Sequence, residues 1–147
     1  MSFRQAVISG LYYYATFTGR ASRSAFWYFL LFCFLCGLVA GILDSAFFQY
    51  HTVAANGSQI IVTPQRFSWI PTIVLFLPNL AITVRRLHDT DHSGWWLGLN
   101  MAVCGLIVLT KQPLLILVVL ITYSTLIIFL CRRGTQGDNR YGHDPLA

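Results

Sequence analysis

The chain contains no glutamate, and its acids are Asp44, Asp89, Asp91, Asp138 and Asp144. Charged residues make up 10% of its 147 residues and hydrophobic ones 56%. That scarcity of charge excludes an ordinary soluble domain of this size, which needs more polar surface. Residues 1–19 lack the continuous apolar core and small-residue cleavage site of a secretory signal. The first long apolar segment is therefore expected to act as its own insertion signal. No nucleophile–base–orienter arrangement stands out, no Gly-rich phosphate loop precedes a lysine, and no nucleic-acid motif is present. The net charge of +5 comes from arginines that flank apolar segments. Phospholipid headgroups, worth about 1 kcal/mol per basic residue near an anionic leaflet, are the expected anionic partner, rather than nucleic acid.

What the chain does have is long apolar runs. Four of them predict membrane-spanning helices at about 24–48, 68–87, 95–110 and 113–131. Each is near the ~20 residues needed to cross a hydrocarbon core, the shorter two falling just below. Four crossings place both termini on one face. Arg4, Arg20, Arg23, Arg85, Arg86, Arg132, Arg133 and Arg140 share it, against Arg66 and Lys111 opposite. The excess marks the cytoplasmic side. The expected fold is an all-α membrane protein of one domain, 1–147. It has four transmembrane helices, an N-terminal interfacial amphipathic helix at 3–17, a short outer β-hairpin loop and a cytoplasmic tail at 132–147.

Local signals fill in this frame. Phe3, Val7, Gly10, Leu11 and Tyr14 fall at helical spacing, and Tyr12–Tyr14 suit the headgroup layer. Ser22 or Ser24 can cap the first crossing. Within it Cys33, Gly37, Gly41 and Ser45 form a ridge of small residues that suits close helix approach, for internal packing ahead of dimerisation. Cys33-x-x-Cys36 has the spacing of a redox motif, but an unsolvated thiolate is unfavourable there, so packing is the expected role. Asn56-Gly57 between β-prone runs is a hairpin signal. Pro78 predicts a kink in the second crossing, where Asn79 can satisfy a freed backbone group. Gly94 and Gly98 allow close packing of the third, and Lys111-Gln112-Pro113 makes a tight outer turn.

Three polar clusters converge on the cytoplasmic face. They carry Arg20 and Arg23; Arg85, Arg86, His88 and Asp89; and Asp138, Asn139, Arg140 and Asp144. The segments FTGRASRSAFWYF, VRRLHDTDHSGWW and GTQGDNRYGHDP resemble those of the YhaH-like bacterial inner-membrane family (domain of unknown function 805). The resemblance covers nearly the whole chain and implies a small protein of the bacterial inner membrane. The chain departs from the family pattern at Ala25, where an acid is common, at His92 for arginine and at His143 for proline.

The residues themselves support several roles. Arginine forks and aspartates suit a structural ion-pair network tying the loop after the second crossing to the tail, with Asp138, Asp144, Arg20 and Arg23 as candidate partners. Arg20, Arg23, Arg85 and Arg86 also suit anionic headgroups. His88 and His92 at i, i+4, with Asp91 between, are candidate metal ligands if helical, yet fall short of a full ligand set, so no metal or other cofactor is assigned. Asp91 and Ser93 can equally cap the third crossing. The expected function is a non-enzymatic structural or accessory role in the cell envelope, acting through lipid or protein contacts. The expected partners are the bilayer, anionic headgroups, and a second copy or another membrane protein. The alternative is a membrane enzyme or metal-binding protein using the cytoplasmic cluster. A transporter component ranks third, because Asp44 is the one carboxylate inside an apolar run.

Overall fold

The structure is a computed structural model that describes residues 1–48, 50–53, 59–62 and 64–146, with the backbone alone described at 50–53 and 59–62. Its elements are α1 (Phe3–Tyr12), α2 (Arg23–Phe47), β1 (Tyr50–Val53), β2 (Gln59–Val62), α3 (Trp69–Asp89), α4 (Trp95–Thr110) and α5 (Leu114–Cys131). Three helices, α2, α3 and α5, are long and apolar enough to cross a membrane. The 16 residues of α4 are apolar but shorter, reaching ~24 Å at 1.5 Å per residue. Strands β1 and β2 pair antiparallel, from Tyr50 opposite Val62 to Val53 opposite Gln59. The turn expected at Asn56-Gly57 falls outside the described residues.

Each helix begins for a legible reason. At α1, Ser2 and Gln5 form a reciprocal capping box. At α2, the Ser22 hydroxyl accepts from the Ala25 N–H at 3.3 Å. With alanine at that third helical position, Ser22 caps alone. The start of α3 is capped from another helix: Asp44 of α2 accepts from the backbone N–H groups of Arg66, Phe67 and Ser68 and from the Ser68 hydroxyl. This buried carboxylate is thus occupied in satisfying the otherwise unpaired donors of a helix start. Between α4 and α5, Lys111 takes a left-handed conformation (φ 52°) and turns the chain back. The two helices lie against each other, with the Asn100 side chain directed to the Thr122 carbonyl.

Pro78 sits inside α3 and has no N–H for the carbonyl of Val74. That carbonyl accepts instead from the Tyr14 hydroxyl, 60 residues away in sequence. The partner is therefore not the neighbouring Asn79. It also corrects the expected helix over 3–17: α1 ends at Tyr12, and Tyr14 lies beyond it, tied to α3.

Burial is concentrated at one end. Ala21, Phe26 and Phe29 from the start of α2, Ile82 and Leu87 from the end of α3, and Leu126 and Leu130 from the end of α5 form one core cluster. Helix α1 joins it through Gly10, where any Cβ would run into the Phe29 ring. Along the rest of the helices apolar side chains face outward, Val108, Leu109 and Leu114 being 75%, 82% and 75% exposed. Of the small-residue ridge, Cys33 packs against the core, but the two glycines have no close neighbour. A Cβ at Gly37 or Gly41 would meet nothing within 4 Å among the described residues. Gly94 does allow close approach, to Val84 of α3, whereas Gly98 faces Trp95 of its own helix.

Candidate functional site

Directly above the core cluster, Asp89 at the end of α3 sits between two arginines. Its Oδ1 accepts from Arg20 Nε at 3.0 Å and lies 2.9 Å from Nη2, and its Oδ2 accepts from Arg86 Nη1. The side chains of Arg20 and Arg86 are 0% exposed and that of Asp89 is 5% exposed. Each guanidinium spends its remaining N–H groups on carbonyls. Arg86 donates to Leu130 and Arg132, at the end of α5 where helical carbonyls lack partners. Arg20 donates to Thr135 and Gly137 of the C-terminal segment. One carboxylate and two forks thereby join the start of α2, the end of α3, the end of α5 and the tail.

Backbone contacts reinforce the junction. The Asp89 carbonyl accepts from the Thr135 N–H at 2.8 Å and its hydroxyl at 3.2 Å. The Asn139 amide donates to the His88 carbonyl at 2.9 Å. The Ala21 N–H donates to the Arg85 carbonyl at 3.0 Å. Gly134 passes so close that a Cβ there would collide with the Asp89 carboxylate.

The other residues singled out from sequence take separate places. His88 lies flat on Tyr141, rings 3.9 Å apart, with its Nδ1 3.2 Å from the Gly19 carbonyl. His92 stacks on Phe129 and turns its Nδ1 to the Thr90 carbonyl. The helical i, i+4 geometry for a metal is not formed, because α3 ends at Asp89 and Asp91 takes a positive φ of 58°. Among the described residues, no three His, Cys, Asp or Glu side chains are grouped to hold a metal. Gly94 occupies the N-cap position of α4, and the Ser93 hydroxyl accepts from the Trp95 N–H at 3.4 Å.

Asp138 and Asp144 do not reach Arg85 or Arg86. Asp138 pairs with exposed His143, and Asp144 accepts from the Leu146 and Gly137 N–H groups. Those bonds, Leu146 first, hold the Asp144 carboxyl below its ordinary value of 3.8. Arg140 pairs with Asp91 on the surface. Arg23 is exposed and borders a cleft of about 310 Å³ with Arg133, Gln136 and Asp144. Arg85 stands apart: it is 6% exposed, has no carboxylate partner among the described residues, and lies over the Tyr13 ring at 5.1 Å. Thr135, Gly134 and Tyr13 were the contributors hardest to find from sequence, since each acts through backbone proximity or a ring face.

Apolar helices with outward-facing hydrophobic side chains, gathered at one polar end by a buried arginine–aspartate junction, define an integral membrane protein. Residues 14–143 match the family described as Protein of unknown function (DUF805), and the chain belongs to that family. It is 36% identical over 132 residues to the inner membrane protein YhaH of Escherichia coli K12, covering 90% of this chain and 88% of that one. It is 33% identical over 143 residues to the inner membrane protein YhaI of the same strain, covering 96% and 95%. No solved structure matches the chain.

Proposed function

We propose that this chain is a non-enzymatic accessory protein of the inner membrane. It crosses the bilayer four times with both termini in the cytoplasm, and offers a rigid basic face to lipid headgroups or a protein partner in envelope maintenance. The observation that carries this reading is the occupancy of Asp89, whose oxygens both serve Arg20 and Arg86 inside the junction. A carboxylate so engaged is unsuited to take up a proton or bind a substrate cation, and the polar cluster holds segments together. Asp44, the one acid inside an apolar run, is likewise engaged, as a cap. The fourth crossing is supported by the antiparallel seating of α4 on α5 and by the eight-to-two division of basic residues.

The topology is tested by single cysteines introduced at Ser58, Ser93 and Gln136 in a background with the native cysteines replaced. An impermeant thiol reagent on intact spheroplasts should label Ser58→Cys and spare the other two. Labelling of Ser93→Cys would sink the four-crossing arrangement. The alternative as a metal-dependent enzyme predicts stoichiometric zinc or manganese in the purified protein, lost in His88→Ala; its detection would reverse the ranking.

A further inference from the structure

Arg20 and Arg86 are neutralised by Asp89, but Arg85 is not. Its Nε and Nη2 are buried and have no hydrogen-bond partner among the described residues. It lines a cavity of about 640 Å³ that also takes in Arg20, Ser22, Ala25, Ser9 and Tyr13. The cavity lies between α1, the first turn of α2 and the last turn of α3. No aspartate is among its lining residues. We propose that this cavity binds a phosphate-bearing anion, either the headgroup of an anionic phospholipid or free phosphate, held by the Arg85 guanidinium. The lipid form deepens the headgroup reading above and rests on it, while the free-phosphate form does not.

Three features select that chemistry. A buried, unpaired guanidinium is costly unless an anion joins it, and Arg85 borders the cavity in which one could sit. The start of α2 forms part of the wall through Ser22 and Ala25. Helix N-termini carry a partial positive charge that favours anions, although the Ala25 N–H itself is taken by the Ser22 hydroxyl. Finally, Gln5 and Ser9 of α1 and Tyr13 just beyond its end recur at intervals of four, and all three line the cavity. Those groups are suited to the oxygens around a phosphate ester. The volume is in the ~300–1,000 Å³ range of small-ligand sites.

The test uses the full chain in non-ionic detergent, stripped of lipid. It is titrated separately with inorganic phosphate, short-chain phosphatidylglycerol and short-chain phosphatidylcholine, with binding read by calorimetry and by the thermal midpoint. Saturable binding of phosphate or phosphatidylglycerol is expected, weakened at least tenfold in Arg85→Gln, less in Arg85→Lys, and unchanged in Arg133→Gln at an exposed position. Phosphatidylglycerol bound at least tenfold more tightly than the other two assigns the lipid headgroup; inorganic phosphate bound as tightly assigns the free anion. Should Arg85→Gln fail to fold, Ser9→Glu supplies an internal carboxylate. It should raise the thermal midpoint without ligand and lower affinity at least tenfold. Binding that is equal in wild type, Arg85→Gln and Ser9→Glu, or no binding of either anion by wild type, overturns the proposal. The spheroplast labelling above reports on topology independently, so the two failures are distinguishable.

Discussion

Replacing Asp89 by alanine should be the most damaging single change at the polar end of this protein. The substitution removes the acceptor for Arg20 Nε and for Arg86 Nη1, while both guanidinium side chains remain 0% exposed. Two buried cations then face each other with no anion between them. Breaking a buried pair in this way costs about 3–5 kcal/mol, because the surviving charge is stranded rather than merely unpaired. For a chain of this length that corresponds to a fall of about 10 °C or more in thermal midpoint. The internal control is Asp91→Ala. Its pair with Arg140 has side chains 61% and 49% exposed, so its loss should cost about 0–1 kcal/mol. Asp89→Asn should fall between, since it keeps one acceptor but loses the charge. The assay is thermal unfolding in detergent, followed by circular dichroism and by the monodisperse fraction on size exclusion. The reasoning is refuted if Asp89→Ala and Asp91→Ala unfold within about 1 °C of each other, a difference too small for a stranded charge.

Three further outcomes follow from the same contacts. Gly134→Ala should lower stability by about 1–3 kcal/mol, the usual range for overpacking, because its Cβ meets the Asp89 carboxylate; a midpoint equal to wild type would mean that the tail can move away freely. Asp44→Asn removes the charged acceptor from the Arg66, Phe67 and Ser68 N–H groups and should speed their hydrogen exchange at least tenfold; unchanged exchange there would contradict the cap. Gly37→Leu should leave the stability of one copy unchanged, since no neighbour lies within 4 Å of its Cβ among the described residues. A fall in midpoint at constant oligomer size would restore internal packing, and a change in size on light scattering would show a contact between copies.

Sequence reading was strongest where physics is local or one-dimensional. Apolar run length placed the bounds of helices α2 through α5 to within a residue or two, because a long apolar run without breakers forms one continuous helix. Ser22 as a cap and Lys111-Gln112-Pro113 as a turn were legible for the same reason: a few adjacent residues decide them. The arginine asymmetry also pointed to one polar face, and family membership was legible in three motifs that each adjoin a helix end.

Pairing within that face was decided only by the tertiary structure. Nothing in the sequence distinguishes Arg20 as the partner of Asp89 from Arg23 three positions on, yet one is buried in the junction and the other is exposed. The same holds for adjacent Arg85 and Arg86. Successive residues on a helix point about 100° apart, so Arg86 turns toward Asp89 and α5 while Arg85 turns toward the cavity beside α1. Tyr14 reaching the carbonyl freed by Pro78, and the outward-facing ridge at Gly37, likewise depend on how α1, α2 and α3 are rotated about their axes. Hydrophobicity settles which segments form long apolar helices, and charge marks the ends that carry the polar clusters. Rotation and close approach between helices settle which polar atoms find each other, and these are set by contacts between residues far apart in the chain.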